Sequence, residues 1–221
     1  MKLTIFAATG GIGRHLLGQA VGAGHEVTAV VRNPARLTRD VRAVTADLTA
    51  PDPAALRAAV DGADGVLSAF GPNGPGGRGI TAPGTRAVVE AMQATRARRI
   101  VVVSAAPVST TPSPGRPHPP RHDPGEGFLT RHLGTPLTKL ILGTHFADLA
   151  VMEDVLRESG LDWTVVRPPR LTDAPLTARY RTAPDQNLKN GGTVSRADVA
   201  HFMLHALTDP TTVKQAFGIA D

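Results

Sequence analysis

Apolar residues along this chain fall in short unbroken runs, and these runs alternate with stretches of helical spacing. Residues 3–8 are apolar except for Thr4 and read as a strand buried on both faces. Thr9-Gly10-Gly11-Ile12-Gly13 interrupts that run. Leu16, Leu17, Ala20, Val21 and Ala23 then recur at helical spacing as far as Gly24, a stop signal. A second strand covers residues 26–31. The pattern predicts further strands over residues 41–46, 65–70, 99–104 and 161–167, and a short one over 216–220. Helices are predicted over residues 53–60, with Asp52 as N-cap and proline at the first helical position, and over 85–95. Two more cover residues 147–159, closed by Gly160, and 195–207, where Ser195 and Asp198 approach a capping box. Strand and helix alternating in this way predict an α/β fold. The expected form is a Rossmann-type doubly wound parallel sheet in three αβα layers, with residues 1–221 forming a single domain.

Two segments break the rhythm. Residues 71–84 are rich in Gly and Pro, and residues 107–124 hold seven prolines, too many for a helix or a central strand. Both follow the C-terminal ends of predicted strands, the edge at which open α/β sheets bind ligands. The proline-rich loop, at about 107–124, is therefore expected on the substrate side.

Composition narrows the functional classes. The chain of 221 residues suits one well-buried domain. It has no cysteine, which excludes a disulfide framework, a thiol nucleophile and Cys-ligated zinc. His118, His122, His132 and His145 lack compact ligand spacing, so no metal is expected. No run approaches 18 apolar residues and no signal-peptide core is visible, so a cytoplasmic protein with no membrane partner is expected. Lys and Arg number 24 against 19 Asp and Glu, a formal net charge of +5. That is mildly basic and suits an anionic cofactor. The densest cluster, Arg96, Arg98 and Arg99, lies where cations complement a helix C-terminus, and no basic stripe with interleaved aromatics points to nucleic acid. Richness in Ala, Arg, Gly and Pro with little Lys fits a GC-rich bacterial gene.

The chemistry starts at the glycine turn. A strand that turns through glycines into a helix offers backbone N–H groups and a positive dipole end to an anion. Glycines there let the backbone approach a pyrophosphate and let the helix pack on the strand. The second strand ends in Val31-Arg32-Asn33, where an acidic residue would favour NAD and a basic one can pair with the 2′-phosphate of NADP. Arg32, with Arg36 as a second cation, predicts NADP(H).

Further motifs carry a resemblance. They are the glycine turn, Val31-Arg32-Asn33-Pro34-Ala35-Arg36-Leu37, Ala46-Asp47-Leu48, Val103-Ser104-Ala105, Leu156 through Thr164, Arg167-Pro168-Pro169, Leu176-Thr177 and His201-Phe202-Met203-Leu204. The chain resembles the atypical short-chain dehydrogenase/reductases, within the NmrA-like NAD(P)H-binding set, and most nearly the flavin reductase (biliverdin reductase B) branch. The resemblance implies that Thr9, Gly10, Gly11, Ile12 and Gly13 cradle the pyrophosphate. It places Arg32 at the 2′-phosphate, Asp47 and Leu48 at the adenine, and Ala69, Phe70 and Gly71 at the adenosine ribose. Ser104 and Ala105 would lie beside the nicotinamide, with Pro168, Pro169, Arg170 and Leu171 closing over its carboxamide. Ala7 departs from the pattern, since relatives usually carry glycine there.

Many dehydrogenases of this superfamily protonate a carbonyl with a Tyr-x-x-x-Lys pair. The single tyrosine, Tyr180, stands far past that position and has no lysine four residues on. The branch resembled also lacks the pair. The expectation is an NADPH-dependent oxidoreductase that passes hydride to a flavin, a quinone or another conjugated or aromatic carbonyl acceptor. Ser104 would act at the reacting ring, with His145, Asp148 and Glu153 as candidate acids. An NADP(H)-sensing regulator and a ketoreductase, epimerase or isomerase on the same fold remain open, as do a monomer and a homodimer.

Overall fold

The computed structural model describes residues 1–72, 79–125, 127 and 135–221, and the apolar runs lie side by side in it. β1 (Lys2–Phe6) pairs in parallel with β2 (Glu26–Val31) on one side and β4 (Gly65–Ser68) on the other. β3 (Arg42–Thr45) lies outside β2, while β5 (Arg99–Val103) and β6 (Asp162–Arg167) extend the sheet beyond β4. β10 (Gln215–Ala220) continues it in parallel, and β8 (Arg181–Pro184) pairs antiparallel with β10. The order among the described residues is β3-β2-β1-β4-β5-β6-β10-β8, which reverses direction between β1 and β4. β7 (Arg170–Thr172) and β9 (Thr193–Ser195) form a separate two-stranded ribbon.

Residues within a strand alternate between two cores. Leu3 and Ile5 of β1, Leu67 of β4 and Val101 of β5 pack with Leu16, Leu17, Val199 and Met203 of α1 (Gly13–Gly22) and α5 (Arg196–Thr208). Phe6, Val66, Ile100 and Val102 face the other way. They meet Leu56 of α2 (Pro53–Val60), Val88 and Met92 of α3 (Thr81–Gln93), and Met152 and Leu156 of α4 (Thr135–Glu158). This is the doubly wound, three-layer α/β arrangement that the periodicity predicts.

Two helices begin earlier than the spacing predicts. α3 starts at Thr81, inside the segment that reads as a loop. Pro83 falls in its first turn, where a missing N–H is harmless, and a Cβ on Gly84 would stand 2.5 Å from the Phe70 ring. α4 extends well N-terminal of residue 147, and Leu140, Ile141 and Leu142 on that extension are exposed. The proline-rich segment is folded against the body. Ala106–Thr110 is a 3₁₀ turn, and Ser113 and Arg116 bond to each other's backbone. Gly115 N–H donates to Asp154 of α4 (2.9 Å), and buried Asp123 accepts from the N–H groups of Gly125 and Asn187. Proline removes donors from this stretch, and the two carboxylates satisfy the N–H of Gly115 within it and of Gly125 just past it. Residues 73–78 of the first unusual loop, and His132, lie outside the described residues.

Candidate functional site

The proposed cofactor positions fall at the C-terminal ends of successive strands. Asp47 and Leu48 follow β3, Arg32 follows β2, and Thr9 to Gly13 follow β1. Ala69 to Gly71 follow β4, Ser104 and Ala105 follow β5, and Pro168 follows β6. From β3 to β6 there are five inter-strand steps, roughly 24 Å, so one extended ligand can run along the whole edge.

Sterics dictate the glycine turn. Ala7 has φ 57°, the left-handed region, and its carbonyl accepts from Gly10 N–H (2.9 Å). A Cβ on Gly13 would lie 2.0 Å from that same oxygen, so only glycine lets α1 start this close to β1. Glycine at the Ala7 position, as in the relatives resembled, follows from φ; alanine stands here at the expense of backbone strain. The N-terminus of α1 has no side-chain cap and no acidic residue in its first turn, so its own sequence does not neutralise its positive end. Cations surround it. The Arg196 side chain crosses Gly11 so closely that a Cβ there would lie 2.9 Å from Nε. Arg196 and Arg14 both pair with Asp173, at 3.0 and 3.3 Å, leaving one carboxylate between two guanidinium groups. His15 is held below its ordinary pKa by burial and then by Arg14. These features fit a diphosphate. Sequence reasoning assigned no role to Arg14, Asp173 or Arg196. The available signal was arginine in the first turn of α5, where a cation opposes the helix dipole.

Toward β3 the edge carries the adenosine-side candidates. Arg32 and Arg36 are exposed, and Asn33 caps the 3₁₀ turn Pro34–Arg36 through Ala35 N–H (3.0 Å). Asp47 accepts from the N–H and hydroxyl of Thr49, which hold its carboxyl below its usual range, with a smaller contribution from Arg32. Leu48 packs near Phe70 and Gly84, forming an apolar wall.

The other end of the edge is built around Ser104. Its N–H donates to Val166 O (2.7 Å), and its hydroxyl donates to Glu153 Oε1 (2.8 Å). Glu153, 1% exposed, also accepts from Arg167 Nε (2.9 Å) and Nη2, and from Arg157 Nη2 (2.6 Å). Burial raises the Glu153 carboxyl, but Arg167, Arg157 and Ser104 together outweigh it and hold the group below its ordinary range. The buried Arg167 guanidinium is lowered by burial and raised further by Glu153, for a net rise. Ala106 N–H donates to Pro168 O (2.9 Å), joining the β5 and β6 exits. Pro169 leads into β7, which holds Arg170 and Leu171.

Of the candidate acids, Asp148 is engaged otherwise than expected. It is buried, and its two oxygens accept from Thr81 N–H (2.8 Å) and Ala82 N–H (3.1 Å), so it caps α3 from the neighbouring helix. Glu153 is an acceptor with four donors upon it. His145 is partly buried, its Nδ1 has no hydrogen-bond partner among the described residues, and burial holds its pKa below the ordinary value against the opposing pull of Asp148. Tyr180 lies in the α5-side core, with its hydroxyl 2.7 Å from His201 Nδ1 and its ring edge-on to Phe202. Burial, and less strongly Asp198, pushes its phenol up to about 12. Among the described residues no group of three or more His, Asp or Glu is placed to hold a metal, and no helix is long and apolar enough to cross a membrane.

The switch-point edge and its glycine turn define a dinucleotide-binding α/β protein. A family model described as NAD(P)H-binding matches residues 7–210, and the chain belongs to that family. It is 28% identical to the uncharacterized protein YwnB of Bacillus subtilis, over 99% of this chain and 98% of that one. Among solved structures it resembles SP1627, a putative NADH-flavin reductase from Streptococcus pneumoniae, at 26% identity and TM-score 0.74, covering 100% of this chain and 99% of that one. The anaerobillin reductase ChuY of Escherichia coli O157:H7 shares the fold at 22% identity and TM-score 0.76, covering 100% and 97%.

Proposed function

We propose that the protein is an NADPH-dependent reductase that delivers hydride to a flavin, a quinone or another conjugated acceptor, as a cytoplasmic monomer or homodimer. The observation that carries this reading is the Ser104 hydroxyl at the strand edge, fixed by Glu153 and Arg167, with the phenol of Tyr180 committed elsewhere. A nicotinamide, when bound, supplies the hydride. Thr9 to Gly13, with Arg14 and Arg196, would hold the diphosphate; Arg32 and Arg36 the 2′-phosphate; Asp47 and Leu48 the adenine; Ala69 to Gly71 the ribose. Ser104, Ala105 and Pro168 to Leu171 would orient the nicotinamide. An extended conjugated acceptor spreads the negative charge it gains, so the protein is asked for placement more than for a strong acid. The Streptococcus pneumoniae relative, a putative NADH-flavin reductase, supports the flavin as acceptor, while its name gives NADH as the donor.

The test mixes purified protein and NADPH with FMN, FAD, a quinone and an aromatic ketone, and follows absorbance at the reduced-cofactor band. NADPH oxidation with at least one of these conjugated acceptors is expected. Tight NADPH binding without turnover of any acceptor would overturn the reading in favour of a sensor.

A further inference from the structure

Glu153 has four donors and no lone pair to spare. Two come from Arg167, one from Arg157 and one from the Ser104 hydroxyl. Guanidinium groups only donate, so the carboxylate is ionised and the proton in its bond with Ser104 belongs to the serine. A hydroxyl has one proton and two acceptor lone pairs. With the proton spent inward, Ser104 presents only lone pairs to whatever lies at the end of β5.

We propose that Glu153, held by Arg167 and Arg157, is a positioning residue that makes Ser104 an obligate hydrogen-bond acceptor, selecting a cofactor group that brings N–H donors. This rests on the reading that the nicotinamide lies at Ser104. The N–H donors there are those of its carboxamide, so the buried ion cluster sets which face of the amide meets the protein. Ser104 then fixes the ring's orientation and does not hand its own proton to the reduced acceptor.

The test compares equilibrium binding of NADP⁺ with that of its 3-acetylpyridine analogue, which keeps the carbonyl but lacks the N–H groups. Calorimetry on the wild type should show the carboxamide bound about five- to tenfold tighter, the size of one hydrogen bond. Ser104→Ala should abolish that preference. Glu153→Asp keeps the charge for both arginines but retracts from Ser104, freeing its proton. In Glu153→Gln the arginines claim the amide oxygen, and the NH₂ group turns toward Ser104. Both variants should lose most of the preference while still binding NADP⁺. Equal affinities in the wild type, or an undiminished preference in Ser104→Ala, would overturn the inference even if neither Glu153 variant folds. A full preference in a folded Glu153→Asp, checked by its melting curve, would do the same. A wild type that binds neither nucleotide overturns the functional reading instead.

Discussion

At the level of single residues, Arg32 and Ala7 make opposite kinds of claim. Arg32 is exposed at the end of β2, with Asp47 the charge that registers its presence. If it meets a 2′-phosphate, Arg32→Ala should weaken NADPH by about 1.5–3 kcal/mol, roughly ten- to a hundredfold, and leave NADH nearly unchanged. Parallel fluorescence titrations decide this, and an equal loss for both nucleotides would remove Arg32 from the site. Ala7 concerns the backbone. Left-handed alanine costs about 1–2 kcal/mol, and glycine returns part of that gain as entropy of the unfolded chain. Ala7→Gly should therefore raise stability by about 0.5–1 kcal/mol, a melting-point rise of about 1–4 °C. No rise, or a fall, in a thermal melt would show that the strain is relieved by something else.

At the level of elements, one helix starts another. Asp148 of α4 supplies the acceptors that the first turn of α3 lacks, because Ile80 at the N-cap has no side-chain oxygen. Asp148→Ala leaves two buried amides without partners and should cost about 2 kcal/mol, read as a shift of the denaturant midpoint. Specific activity per folded molecule should be kept; if activity vanishes while stability holds, Asp148 is an acid after all. The same contact explains what the sequence made legible. β1, β2 and α1 announce themselves locally, through unbroken apolar runs and glycines between them. The start of α3 is set by a residue 67 positions away, so Pro83-Gly84 reads as a turn. β7 and β9 are three residues each and carry no periodicity. In the site, the glycine turn and Ser104 are readable by position along the chain. The Ser104–Glu153 bond, spanning 49 residues, and the placement of Arg196 over Gly11 exist only once α4 and α5 have docked.

Across the whole molecule, charge is buried at a few fixed places, and pH probes them. Arg99 spans the far end of the sheet, donating to carbonyls of Ala206, Leu207 and Asp162 and to Thr164 and Thr212, with burial lowering its pKa to about 10. It stays charged across the working range. His145 and His15 do not. Burial lowers both below the ordinary 6.5, so near and below that value the unfolded chain takes up protons that the folded one resists. Their contribution to stability is therefore complete above about pH 6.5 and is lost as the pH falls through the window below it. The melting temperature should drop between pH 7.5 and 5.5, and less steeply in His145→Gln. An identical slope in that variant would show that His145 takes up its proton equally in both states.

The strand order carries a consequence for how the chain assembles. β10 is an interior strand, with β6 on one side and β8 on the other, both of which precede it in the chain. Until residues 215–220 have emerged, β6 presents an open edge and β8 lacks its sheet partner. An emerging chain can complete β1 to β6 with their helices and then must wait. During that wait its unpaired edge is the place where a chaperone, or a second nascent copy, would attach.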